Sequence, residues 1–261
     1  MYTVSSFTGY FILLLAFVFG GVVGSFLNVC IFRIPADTSI VYPHSHCMNC
    51  QTPIKPYDNI PIVSYLLLGG KCRHCSAKIS PVYPAVELIA ATISLLLVIQ
   101  YGISVQYFLS FVFVSVLIMI TFIDLEHQII PDVITLPGIP LFFLAATLFM
   151  DIRFVDALLG IVIGGGCFYL IALGYQLLRK IEGMGGGDIK LMAMLGAFLG
   201  WQSLWFILLL SSLIGAIVGI SVMIYKGKDM KYAVPFGPFL SIAAVAYLFW
   251  GECATRLLLL R

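Results

Sequence analysis

Runs of about 20 apolar residues recur along this chain, and they constrain it more than any other feature. A helix needs roughly 20 such residues to cross the hydrocarbon of a bilayer, and fewer where protein shields part of it. Eight segments qualify, at residues 8–30, 84–101, 106–125, 131–150, 154–178, 188–200, 203–225 and 235–250. The sixth is short and is approached through Gly185-Gly186-Gly187. The eighth opens on Pro235-Phe236-Gly237-Pro238, which cannot be regular helix throughout. Six or seven spans therefore stay open beside eight. Of the 261 residues 61% are hydrophobic and 10% charged, against roughly 25% charged in a soluble domain. The expected fold is an all-α polytopic membrane protein with about eight transmembrane helices, and its first partner is the lipid bilayer. A net charge of +2 is too small to suggest nucleic acid. The opening MYTVSSFTGY has no basic residue, so a retained span is expected rather than a cleaved leader.

Between the first two segments lies the one polar stretch long enough to hold a module, residues 31–83. It contains Cys47-Met48-Asn49-Cys50 and Cys72-Arg73-His74-Cys75, two CxxC pairs with 21 residues between them. Each CxxC turn presents two thiolates to one point, and two such turns complete a zinc tetrahedron. Four thiolates leave no open position, so one structural zinc per chain is expected rather than a catalytic one. A stretch of about 50 residues buries little core, and the metal would hold its fold together. The alternative is a pair of disulfides, which a reducing cytoplasm disfavours. Cys30, outside both pairs, is expected to pack as a small apolar residue.

Basic residues orient the segments. With the 31–83 loop inside, eleven of the fourteen Lys and Arg fall inside and only Arg153, Arg256 and Arg261 outside. The positive-inside rule then puts the loop in the cytoplasm and the N-terminus outside. Residues 125–130, 179–187 and 226–234 join the loop on the cytoplasmic side. The expected organisation is a first transmembrane helix (1–30), a small cytoplasmic zinc-binding loop domain (31–83) and a helical membrane domain (84–261). Gly164-Gly165-Gly166, inside the fifth segment, is expected to permit close helix packing.

Ionisable groups beside apolar segments are costly and are functional candidates by default. Asp124 closes the apolar run 111–123, and Asp188 ends Gly183-Met184-Gly185-Gly186-Gly187 and opens the sixth segment. Both fall at the cytoplasmic boundary. Two carboxylates held close cannot both ionise and share a proton. The ionised one can draw a proton from water while the other polarises a carbonyl. Spacing alone leaves a rival: Asp188 follows glycines and precedes a helix, so it is also a good N-cap. Asp132, after Pro131, is a capping candidate too, and Glu126 and His127 read as solvated interface residues. No HExxH, GxSxG or P-loop glycine pattern is present.

At these residues the sequence resembles the type IV prepilin peptidase family, bifunctional leader peptidase/N-methyltransferases of bacterial inner membranes. The resemblance runs through Gly24-Ser25-Phe26-Leu27-Asn28-Val29, the double CxxC loop with Asp58-Asn59-Ile60-Pro61, and Ile123-Asp124 with Pro131-Asp132. It continues through Gly183–Leu191 and Pro235-Phe236-Gly237-Pro238-Phe239. It implies that Asp124 and Asp188 are an aspartyl dyad and that Cys47, Cys50, Cys72 and Cys75 bind zinc. The implied substrates are type IV prepilins or pseudopilins, cut where the leader meets the membrane. The new N-terminus would then be methylated from S-adenosylmethionine. Asn28, Arg33, Tyr83, Glu87 and Lys190 are candidates for the substrate or methyl-donor region. Val82 departs from the family, where many members carry arginine. The implied location is the bacterial cytoplasmic (inner) membrane. Two other classes compete. One is a proton-coupled transporter with the same aspartates as relays, although transporters favour midplane charges and repeats. The other is a membrane-anchored zinc module that binds a partner.

Overall fold

The computed structural model describes residues 7–179, 185–226 and 235–258. Its regular structure is helical: α1 (Phe7–Arg33), α2 (Val63–Leu67), α3 (Val82–Tyr101), α4 (Val105–His127), α5 (Asp132–Phe149), α6 (Phe154–Arg179), α7 (Gly186–Leu199), α8 (Trp201–Lys226) and α9 (Gly237–Leu258). Among the described residues there is no strand, only two isolated bridges, His46 with Pro53 and Lys71 with Lys78. Gly183 and Met184 of the glycine motif lie outside the described residues, as do Lys180, Lys228, Lys231 and Arg261 of the orientation argument. Most of the expected loops 179–187 and 226–234 falls there too.

All eight apolar segments are helices. Six of them, α1, α3, α4, α5, α6 and α8, are long and apolar enough to cross a membrane. The 14 residues of α7 and the apolar stretch Gly237–Gly251 of α9 are shorter. Large apolar side chains face outward: Tyr10, Phe11, Leu14 and Val18 on α1, and Leu144 and Leu148 on α5, are each more than half exposed. Water would penalise such surfaces heavily, whereas lipid does not. The protein is an integral membrane protein.

The chain folds as two compact units, Met1–Met119 and Ile120–Arg261. A division at residues 30 and 83 follows polarity. Compactness instead groups the polar loop with α1, α3 and the first part of α4.

In the first unit α1 packs closely along α3. A Cβ on Gly20 would lie 2.6 Å from the Ala90 carbonyl oxygen, and one on Gly24 would lie 2.7 Å from the Glu87 Cα. This small-xxx-small face lets two backbones touch without side chains between them. The Ser94 hydroxyl donates to the Ala16 carbonyl at 2.7 Å and pairs with the Tyr107 hydroxyl at 2.8 Å, so the contact is also hydrogen-bonded. Cys30 is buried in α1, as its packing role requires.

In the second unit α7 is central. Every residue from 191 to 199 is buried, as expected of a helix apolar on all sides. It packs against α5, α6, α8 and α9. At the α6–α7 crossing, Gly160 and Gly196 meet backbone to backbone, and a Cβ on either would overlap the other's carbonyl. Gly164 also matters here, because its Cβ would lie 2.6 Å from the Met192 carbonyl oxygen. Gly166 meets nothing within 4 Å, so only part of the predicted glycine run serves the contact.

Candidate functional site

Asp124 sits one turn before the end of α4 and is only 5% exposed. Its Oδ2 accepts a hydrogen bond from the Gly237 backbone N–H at 3.0 Å. Asp188 lies in the first turn of α7. The expectation that it might cap this helix is not met: the N-cap is Gly185, with no side-chain cap. The helix begins two residues earlier than the apolar pattern alone required, which moves Asp188 inside. Its Oδ1 is buried without a hydrogen-bond partner. A buried carboxylate oxygen with no structural partner costs free energy and calls for a functional reason.

Ile130 lies between the two carboxylates' supports. A Cβ on Gly187 would lie 2.7 Å from the Ile130 Cβ, and one on Gly237 would lie 3.2 Å from its Cδ1. Gly187 is the residue before Asp188, and Gly237 is the residue that holds Asp124. The supports of both carboxylates therefore close on the same Ile130 side chain. The structure thus brings together two aspartates that are 64 positions apart in sequence.

Asp132 is not an N-cap either. Pro131 holds that position, and Asp132 instead takes Lys190 Nζ on both carboxylate oxygens, at 2.6 and 2.7 Å. The pair ties the start of α5 to the start of α7, two residues beyond Asp188. Lys190 therefore belongs to the aspartate-bearing unit, and the other four candidates of its group belong to the first unit. Glu126 and His127 are exposed.

In that first unit, Asn28 Nδ2 donates to the Tyr83 carbonyl at 3.0 Å, and its Oδ1 is buried with no partner. Glu87 is 8% exposed, and its Oε2 accepts the Ile62 N–H at 2.7 Å. Ile62 has φ +64°, a conformation rare outside glycine, so Glu87 holds a strained turn. Tyr83 stacks on Phe32 with centroids 4.9 Å apart. The Arg33 guanidinium donates to the carbonyls of Ser39 and Pro43, at 2.8 and 2.6 Å, and fastens the loop where it leaves α1. The sequence had not shown the Glu87–Ile62 clasp, because nothing in Asp58-Asn59-Ile60-Pro61 marks the next residue as strained.

The four motif cysteines converge, with their Sγ atoms all within 4.8 Å of one another. Cys47 and Cys75 are 3.8 Å apart, and Cys50 and Cys72 are 4.0 Å apart. All four are free thiols, which sets the disulfide alternative aside. Sulfurs at the corners of a zinc tetrahedron with bonds of about 2.3 Å stand roughly 3.8 Å apart. The thiols therefore fit a metal of that size and softness.

Fold and site together define an integral membrane protein with two neighbouring aspartates in one helical unit and a cluster of four thiols with metal-ligand spacing in the loop of the other. The profile of the Bacterial Peptidase A24 N-terminal domain matches residues 18–101, and that of the Type IV leader peptidase family matches residues 111–220. A prepilin leader peptidase/N-methyltransferase of Pseudomonas aeruginosa is 38% identical over 260 residues, covering 91% of this chain and 90% of its own. One of Neisseria gonorrhoeae is 39% identical, covering 88% of this chain and 87% of its own. One of Myxococcus xanthus is 42% identical, covering 87% and 68%. The chain belongs to the type IV leader peptidase family. No solved structure matches it.

Proposed function

We propose that the chain is a membrane aspartyl endopeptidase that removes the leader of prepilins or pseudopilins and methylates the new N-terminal residue. The observation that carries this reading is the convergence of the supports of Asp124 and Asp188 on Ile130, with Asp188 Oδ1 buried and without a hydrogen-bond partner. The names of the relatives supply the substrate class. In the dyad, one ionised carboxylate takes a proton from water while the protonated carboxyl gives its proton to the scissile carbonyl oxygen. The water oxygen bonds to the scissile carbon; the C–N bond then breaks as the carboxyl that took the water proton passes it to the leaving amine, and the diol hydroxyl returns a proton to the other carboxylate. Placement in the bacterial inner membrane rests on the apolar helices and the relatives, and the cytoplasmic side for the loop and both aspartates rests on the excess of Lys and Arg.

The metal held by Cys47, Cys50, Cys72 and Cys75 is zinc in this reading, and it is structural because all four positions are filled. S-adenosylmethionine, when bound, supplies an electrophilic methyl group. The buried Asn28 Oδ1 and the Glu87 carboxylate are acceptors suited to its cationic groups. Tyr83 orients Asn28 through its carbonyl, and Arg33 holds the neighbouring loop.

Cleavage of a purified model prepilin by wild type, Asp124→Asn and Asp188→Asn tests the peptidase. Either variant should lose at least about 100-fold in rate. Trimming by both variants at the wild-type rate would eliminate the dyad. A labelled methyl donor with precut substrate tests the transferase separately, and an unlabelled product would leave a peptidase alone.

A further inference from the structure

The start of α9 is built to present one donor. Pro238 has no N–H, and the amides of Phe239 and Leu240 both turn back to the Phe236 carbonyl, at 3.1 and 3.2 Å. The Gly237 N–H is the remaining donor of that turn, and it points at Asp124 Oδ2. The positive end of the helix reinforces the contact. The side chain at residue 237 must be absent, because a Cβ there would lie 2.6 Å from that same oxygen and 3.3 Å from its carboxyl carbon. Phe236 and Phe239 seat the turn on α8, where both rings lie within 3.8 Å of a Cβ built on Gly215. Gly187 makes a matching approach to Ile130 on the Asp188 side.

We propose that Gly237 is a positioning residue of the dyad, its N–H fixing Asp124 and its bare Cα admitting that carboxylate beside Ile130 and Asp188. Asp124 lies at the end of a helix and has no other side-chain hydrogen bond among those described. Without Gly237 its carboxylate would be free to rotate. A displacement of about 1 Å in such a group costs on the order of 100-fold in rate. The inference rests on the peptidase reading above.

The test is Gly237→Ala in the full-length protein in detergent, assayed on a model prepilin. Cleavage kcat should fall about 100-fold with KM within about two-fold, at an unchanged unfolding temperature. A second pair distinguishes positioning from general crowding. Gly187→Ala collides with the Ile130 Cβ, so adding Ile130→Gly should restore much of its cleavage. Gly237→Ala collides with Asp124 itself, so Ile130→Gly should not restore it. Wild-type cleavage by Gly237→Ala, or its rescue by Ile130→Gly, overturns the proposal while leaving the peptidase reading intact. Failure of wild type to cleave any prepilin sinks that reading instead. If Gly237→Ala does not fold, the hydrogen bond is read by NMR of the Gly237 amide in an otherwise intact chain. That resonance should shift upfield in Asp124→Asn and stay in place in Asp188→Asn. An amide indifferent to Asp124→Asn refutes the contact.

Discussion

Replacing Cys50 with serine should open the polar loop and leave the membrane helices in place. Between residues 34 and 81 Ser64 is the only buried residue. The loop's regular structure amounts to α2, five residues long, and one turn at Pro56–Asp58. Apolar burial of that extent is small against the conformational entropy lost in ordering such a loop. A structural zinc contributes about 10–16 kcal/mol in small zinc-binding peptides, and here it has little else to assist it. Sulfur separations of 3.8 and 4.0 Å correspond to metal–sulfur bonds of about 2.3–2.4 Å, within tolerance for zinc. Loss of one thiolate should therefore remove most of the loop's stability. Metal analysis under reducing conditions should find about one zinc per wild-type chain and far less in Cys50→Ser. Limited proteolysis should then cut Cys50→Ser within 34–81 at rates at least about 100-fold above wild type, with the membrane fragments intact. A metal-free wild type, or a Cys50→Ser loop as resistant as wild type, would refute the reasoning.

The glycine contact between α6 and α7 gives a paired prediction. Gly160→Ala should lower stability by about 1–3 kcal/mol or more through overpacking, since its Cβ would overlap the Gly196 carbonyl. Gly166→Ala, with open space around it, should be neutral or stabilise by up to about 1 kcal/mol; thermal unfolding in detergent reads both, and equal losses would show that helix approach is not the cause. Within the loop, Arg73 donates to both oxygens of Asp58, with Nε 2.9 Å from Oδ2, and holds that carboxyl below its usual value. The pair's contribution is therefore complete above the ordinary carboxylate range and fades as pH falls through the lowered value. Because the cysteine thiolates also protonate in acid, Asp58→Asn at pH 7 isolates the pair. It should raise loop proteolysis modestly at low salt and hardly at all at 1 M salt, and a salt-independent effect would contradict the ion-pair account.

Several features were legible because their cause is local. The apolar runs fixed eight helices, since a bilayer demands both their length and their hydrogen-bonded backbone. The cysteines were legible because CxxC spacing sets each pair's geometry before any tertiary contact forms. Asp124 and Asp188 stood out as charges beside apolar segments, but spacing could not separate catalysis from capping. The tertiary structure decides the capping half alone: the helix begins at Gly186 and carries Asp188 inside rather than leaving it as a cap. Lys190 and Asp132 gave no sign of their partnership, which joins helices 58 positions apart.

The sequence by itself determined that this chain lives in a membrane, that it carries a thiol quartet in a polar loop, and that two particular aspartates bear an unusual cost. The tertiary structure alone decided that those aspartates share one neighbourhood, and that a glycine 113 residues downstream of Asp124 supplies its hydrogen bond. The physical reason is that a helix encodes its own hydrogen bonds within four residues. Its approach to another helix depends instead on which small residues happen to face each other. At Gly160–Gly196, Gly187–Ile130 and Gly237–Asp124 the deciding atom is a missing Cβ, and its meaning appears only when its distant neighbour is in place.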